Sequence, residues 1–60
     1  MLLFRLSKTK IINLDKAIGA EIYGNQIDVY FDKTSITGYY SSNEEAEIKF
    51  NELINVLTNV

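Results

Sequence analysis

Sixty residues allow one small domain, and a chain of this length buries only about 60% of the surface that its unfolded form exposes. The chain has no Cys and no His, which excludes disulfides, zinc sites built from those residues, thiol nucleophiles and Ser-His triads. The net charge of −2 also argues against general nucleic-acid binding.

The first predicted strand begins near the N-terminus. Leu2, Phe4 and Leu6 alternate with other residues at a period of two, which predicts a half-buried strand followed by a polar turn over residues 7–10. Residues 11–16 contain apolar side chains, but Asn13, Asp15 and Lys16 interrupt them. We therefore predict a bend at residues 11–16 rather than a strand.

A hairpin is predicted over residues 17–31, with strands at 17–23 and 26–31 on either side of Gly24-Asn25. A Gly-Asn pair between two alternating segments is typical of a two-residue turn. Pairing Tyr23 with Gln26 brings apolar side chains together on one face and puts Glu21 opposite Asp28 on the other. The apolar pairs are Ile22 with Ile27, Ala20 with Val29, and Ile18 with Phe31.

The fourth strand is predicted at residues 36–40, after a turn over residues 32–35. Pairing Phe31 with Ile36 continues the apolar face. The same register puts Tyr39 opposite Asp28, and Tyr30 opposite both Gly19 and Thr37.

A C-terminal helix is predicted to begin near Asn43, because Ser42 and Glu45 have the spacing of a capping box. An apolar stripe at helical spacing follows, and we expect Phe50 to be its main anchor. The sequence thus predicts an α+β fold, a four-stranded antiparallel meander packed on one C-terminal helix, as a single ββββα domain over residues 1–60. The stripe consists of Ala46, Phe50, Leu53, Ile54 and Leu57.

The outward face of this sheet is the predicted interaction surface. Glu21 and Asp28 face each other there, an unfavourable contact that requires either a nearby cation or an external cation, partner or proton. Arg5 and lysines are the candidates within the chain. Tyrosine and arginine are enriched at protein interfaces. The surface comprises Arg5, Glu21, Tyr23, Asp28, Tyr30 and Tyr39.

No catalytic, cofactor-binding or metal-binding residues are predicted, and three scattered glycines exclude a phosphate-binding P-loop. We therefore predict a non-enzymatic protein-interaction domain. Small domains that lack disulfides and structural metals gain stability from partners, so we expect a homodimer, an unidentified protein partner, or both. In such a homodimer, Arg5 of one copy would neutralise Glu21 and Asp28 of the other.

Two alternatives stay open. A nucleic-acid-binding module would stack bases on Tyr23, Tyr30 and Tyr39, although Glu21 and Asp28 would repel phosphates, so nucleic acid is not the expected partner. An acidic phage-type inhibitor would instead use residues 21–60, whose net charge is −5, to occupy a basic host protein. Separately, the basic group of Lys8, Lys10 and Lys16 either contacts an anion or keeps the strand edges soluble.

The setting is predicted to be cytoplasmic, because the lack of Cys agrees with a reducing compartment. The apolar run over residues 1–4 is too short for a signal peptide or a membrane span. Residues 10–18, the Gly24-Asn25 hairpin, residues 27–31 and the helix start at 42–46 resemble small uncharacterised prokaryotic and phage domains with a ββββα layout. This resemblance implies the fold and carries over no site residue.

Overall fold

The computed structural model describes residues 1–59, and within them five strands precede one long helix. The α+β class, the antiparallel pairing and the C-terminal helix are confirmed. The four-stranded meander is wrong, because β1 and β2 form a two-stranded sheet and the remaining strands form a three-stranded sheet in the order β3-β4-β5. The elements are β1 (Leu3–Ser7), β2 (Lys10–Asn13), a 3-10 turn (Leu14–Lys16), β3 (Gly19–Tyr23), β4 (Gln26–Tyr30), β5 (Ser35–Tyr39) and α1 (Asn43–Thr58).

The β2 strand replaces the first half of the predicted bend. Ile12 pairs with Phe4 and is buried, whereas Ile11 pairs with Arg5 and is exposed. Asn13 then ends the strand by accepting a hydrogen bond from the Asp15 N–H at 2.9 Å, which caps the 3-10 turn. Ile12 is the one buried residue of β2. The alternation of apolar and polar residues in this segment is therefore too short to predict a strand.

The β3-β4 hairpin has the predicted register. Tyr23 pairs with Gln26 and Glu21 pairs with Asp28 across a two-residue turn, in which Gly24 has a φ of 54°. Glycine at the first central position with a positive φ is typical of a type II′ turn. Ile18 contradicts the prediction, since it lies before β3 and is 71% exposed instead of facing the core.

The register of β4 with β5 differs from the prediction by two residues. The Phe31 N–H donates to the Thr34 carbonyl at 2.8 Å, so the loop contains two residues rather than four, and Val29 pairs with Ile36. Because side chains alternate with a period of two, this shift keeps every side chain on its predicted face but changes its neighbour. Tyr39 therefore lies opposite Gln26, and Asp28 lies opposite Thr37.

The helix begins as predicted. The Glu45 N–H donates to the Ser42 hydroxyl at 3.1 Å, while the Glu45 carboxylate accepts from the Ser41 hydroxyl at 2.5 Å rather than from the Ser42 backbone. Leu53, rather than Phe50, is the main anchor, because Leu53 is fully buried and Phe50 packs against the core from a half-buried position.

The two sheets are joined where β1 meets β5. Leu6 lies at the irregular position in the β1-β2 ladder, and its carbonyl accepts a hydrogen bond from the buried Tyr40 hydroxyl. Gly38 lies beside this contact, and a Cβ there would be 2.8 Å from Leu6 Cγ and 3.0 Å from the Tyr40 hydroxyl oxygen. A side chain at position 38 would therefore require the Leu6 side chain or the Tyr40 ring to move.

The contact between Tyr40 and Leu6 predicts that removing the Tyr40 hydroxyl lowers the stability of the protein. Tyr40→Phe leaves the Leu6 carbonyl without this donor in a buried position and should lower the free energy of unfolding by about 1–3 kcal/mol. Tyr39→Phe removes the same atom from an exposed ring and is the matched control. Urea denaturation measures the stability of both variants. Equal midpoints for the two would contradict the role of the Tyr40–Leu6 hydrogen bond in joining the sheets.

The helix anchor predicts a second difference in stability. Leu53→Ala creates a cavity in the core and should cost about 2–5 kcal/mol, a large part of the stability of so small a domain. Ile48→Ala, at a position that is 64% exposed on the same helix, should change stability by less than about 0.5 kcal/mol. A Leu53→Ala variant as stable as Ile48→Ala would mean that α1 packs by another face.

Candidate interaction surfaces

The outer face of the β3-β4-β5 sheet is a grid of three rows, set by the two strand registers. Each row takes one residue from each strand, and no row contains Lys or Arg. Exposed tyrosines end the row nearest the Gly24-Asn25 turn, and the acid pair occupies the middle row. The rows are Tyr23-Gln26-Tyr39, Glu21-Asp28-Thr37 and Gly19-Tyr30-Ser35.

Neutral donors hold the acid pair. The Tyr30 hydroxyl donates to Glu21 Oε1 at 2.8 Å, and the Thr37 hydroxyl donates to Asp28 Oδ1 at 2.7 Å. The Gln26 side-chain amide also donates to Asp28 Oδ1, at 3.3 Å. Hydrogen bonds stabilise the two carboxylates without cancelling their charge, so this face keeps two negative charges side by side.

Glu21 also affects the tyrosines around it. The pKa of Tyr30 is raised to about 12, chiefly because its hydroxyl donates to Glu21, with further contributions from desolvation and from the negative charges of both carboxylates. The pKa of Tyr23 is raised as well, first by the neighbouring Glu21 carboxylate. Both phenols therefore stay protonated, and able to donate hydrogen bonds, above the usual range for tyrosine.

Arg5 does not neutralise the acid pair, which corrects one of the two expectations for it. Its guanidinium Nη1 donates to the Lys8 carbonyl at 3.3 Å, at the turn between β1 and β2. Within residues 1–59 the one ion pair joins Lys49 and Glu52 at 3.0 Å. Of the six predicted surface residues, the structure thus brings five together on the sheet face and places Arg5 beyond its β5 edge.

A groove of about 870 Å³ lies between the β1-β2 turn and the connection from β5 to α1. Its floor includes Leu6, Gly38 and Tyr40, the residues that join the two sheets. Two of the three predicted basic residues line it, and Lys16 does not. Besides Tyr40, the charged and aromatic residues that line the groove are Arg5, Lys8, Lys10, Tyr39, Glu45 and Lys49.

Lys49 is the groove residue that sequence reasoning missed. It lies on α1, its ammonium is 5.6 Å from the centre of the Phe4 ring, and it forms the ion pair with Glu52. No sequence signal separates it from an ordinary solvated helix lysine, because its position beside the hairpin depends on how α1 packs against β1. Tyr39 belongs to both surfaces, since it ends a row of the sheet face and lines the groove.

Two negative findings concern the described residues. Across residues 1–59, no group of three acidic side chains is placed to hold a metal ion. No helix in the same range has both the length and the apolar character needed to cross a membrane.

The Glu21 contacts predict how the tyrosines titrate. In the folded protein the pKa of Tyr30 exceeds the ordinary value of 10.0, so this contribution to stability is present below pH 10 and is lost as pH rises towards 12. Glu21→Gln should lower the pKa of Tyr30 towards 10 and leave the fold less sensitive to alkali in this window. NMR titration of the tyrosine ring signals measures the shift.

Glu47→Gln provides the matched control for that titration, because Glu47 is an exposed carboxylate on α1. It should leave the pKa of Tyr30 unchanged. If Glu21→Gln also left it unchanged, the hydrogen bond between Tyr30 and Glu21 would not be the cause of the shift.

Comparison with known proteins gives this chain no relative. No family model matches it, and no similar protein is found among curated proteins or among solved structures. Its function must therefore be argued from the two surfaces themselves.

Proposed function

We propose that this chain is a non-enzymatic protein-interaction domain that acts through the outer face of its β3-β4-β5 sheet. The observation that carries the proposal is the row containing Tyr23 and Tyr39, which are 55% and 67% exposed. Beside them lie two carboxylates that form no ion pair within residues 1–59. Exposed aromatic rings on a rigid support contribute strongly to binding, because few rotatable bonds are immobilised when they are buried.

The geometry of the acid pair favours binding over catalysis. Acid-base catalysis needs carboxylates presented to a substrate in a site that excludes water. Here the pair lies on an open sheet face, and Tyr30 and Thr37 donate hydrogen bonds to it from the same face. Glu21 and Asp28 are therefore suited to meet positive charge from a partner.

A second copy of this chain is the partner that best fits the charges. The acidic sheet face and the basic groove adjoin at Tyr39, on β5. A two-fold axis near Tyr39 would bring the acid pair of each copy towards Arg5 of the other and would bury the exposed rings. Such a homodimer also adds the buried surface that a domain of this size lacks. The cytoplasmic setting and the resemblance to small prokaryotic and phage domains stay predictions.

Self-association is tested by light scattering on a sizing column across a concentration series. We expect the wild type to exceed the 6.9 kDa monomer mass at about 100 µM, and Tyr39→Glu to return it to that mass by adding a third carboxylate to the face. Tyr39 is preferable to Tyr30 for this purpose, because the Tyr30 hydroxyl holds Glu21 within one copy.

Ile48→Glu is the control for self-association, since it places the same charge on an exposed position of α1. It should leave the dimer intact. A wild-type monomer at about 100 µM would refute the homodimer. A dimer that Ile48→Glu disrupts and Tyr39→Glu does not would place the contact on the helix.

A further inference from the structure

The charges of this chain are segregated. The chain as a whole has a net charge of −2, yet four of its six cations line one groove together with a single carboxylate, Glu45. Like charges repel, so a fold that gathers cations in one place gains from an anion that binds between them. Strand pairing alone does not produce this cluster of cations, because one of them, Lys49, lies on α1.

We propose that this groove is a binding site for a nucleotide, either free or as part of a single strand. Its volume of about 870 Å³ is within the range of small-molecule sites, roughly 300–1,000 Å³. The proposed ligand chemistry is a phosphate bound by the cations of the β1-β2 turn and an aromatic base stacked on Tyr39.

The phosphate side of the site is held by backbone contacts. The Lys10 ammonium donates to the Thr37 carbonyl at 2.5 Å, and the Arg5 guanidinium donates to the Lys8 carbonyl at 3.3 Å. Each contact uses only part of the donors on its side chain, so N–H groups remain for a ligand. Within residues 1–59 no carboxylate forms an ion pair with Arg5, Lys8 or Lys10.

The base side of the site is formed by an exposed ring. Tyr39 is 67% exposed and is one of the residues that line the groove. Stacking on an aromatic side chain stabilises a bound base by about 1–3 kcal/mol and tolerates any base. An acidic peptide would use the cations and gain nothing comparable from the ring, so the combination favours a nucleotide.

Glu45 sets the direction of the ligand. Its carboxylate accepts from the Ser41 hydroxyl at 2.5 Å, at the helix side of the groove, where it repels phosphate. Phosphate is therefore expected at the hairpin side, near Lys8 and Lys10. The acid pair of the sheet face lies outside this site. Arg5 and Tyr39 serve both the nucleotide site and the proposed homodimer, so a bound nucleotide and a second copy are expected to compete.

Binding is measured with two probes, ATP by calorimetry and a short fluorescein-labelled oligothymidine by anisotropy. Lys8→Glu should weaken binding by about tenfold or more, the size expected for a charge-assisted hydrogen bond turned into repulsion. Lys33→Glu makes the same charge change at the β4-β5 turn, away from the groove, and should have less than about a twofold effect.

The ring is tested by a second matched pair. Tyr39→Ala should weaken both probes, whereas Tyr23→Ala removes a ring from the same row without touching the groove and should not. Tyr23→Ala is still expected to weaken a homodimer through the sheet face, so failure of one proposal is distinguishable from failure of the other. Thermal unfolding of each variant verifies that it is folded.

The outcomes separate the possible ligands. Binding of ATP supports a free nucleotide, and binding of the oligothymidine alone supports a strand; either supports the proposed site if Lys8→Glu and Tyr39→Ala weaken it. Absence of saturable binding by both probes would overturn the proposal. So would equal losses for Lys8→Glu and Lys33→Glu, or a poly-aspartate peptide that binds as tightly as the oligothymidine and is insensitive to Tyr39→Ala.

Discussion

The hydrogen bond from the Tyr40 hydroxyl to the Leu6 carbonyl is the contact on which the architecture depends. An isolated two-stranded hairpin is marginally stable in water, so β1 and β2 need a partner to bury their apolar face. Because Gly38 has no side chain and the Tyr40 hydroxyl bonds to Leu6, β1 lies close to β5, and the three-stranded sheet becomes that partner. Phe4, Leu6 and Ile12 can then share one core with the three-stranded sheet and the helix.

Both candidate surfaces depend on this contact between β1 and β5. On one side of β5 the sheet face is negative, because the hairpin register puts Glu21 and Asp28 together and neutral hydroxyl groups hold them. On the other side the hairpin turn brings cations towards the start of the helix. Tyr39 lies at the boundary, so a small chain presents surfaces of opposite charge separated by a single aromatic residue.

The parts of the fold that sequence could predict are those decided by local chemistry. Gly24 fixes the β3-β4 turn and with it five residue pairs, and Ser42 fixes the start of the helix. The Asp32-Lys33 loop contains no residue that demands one turn type, so apolar alternation alone could not distinguish two registers that differ by two residues. The groove could not be predicted from the sequence, because it depends on a contact between residues 34 positions apart.

The same separation orders the events of folding. The β3-β4-β5 sheet is built from neighbouring strands joined by two-residue loops, so its contacts close short loops at low entropic cost. The contact of Tyr40 with Leu6 closes a far longer one, and we expect it to form late and to open first in native-state fluctuations. The floor of the groove is made by this late contact. Transient opening there would release the hairpin while the rest of the sheet stays intact, and hydrogen exchange in β1 and β2 would be faster than in β4.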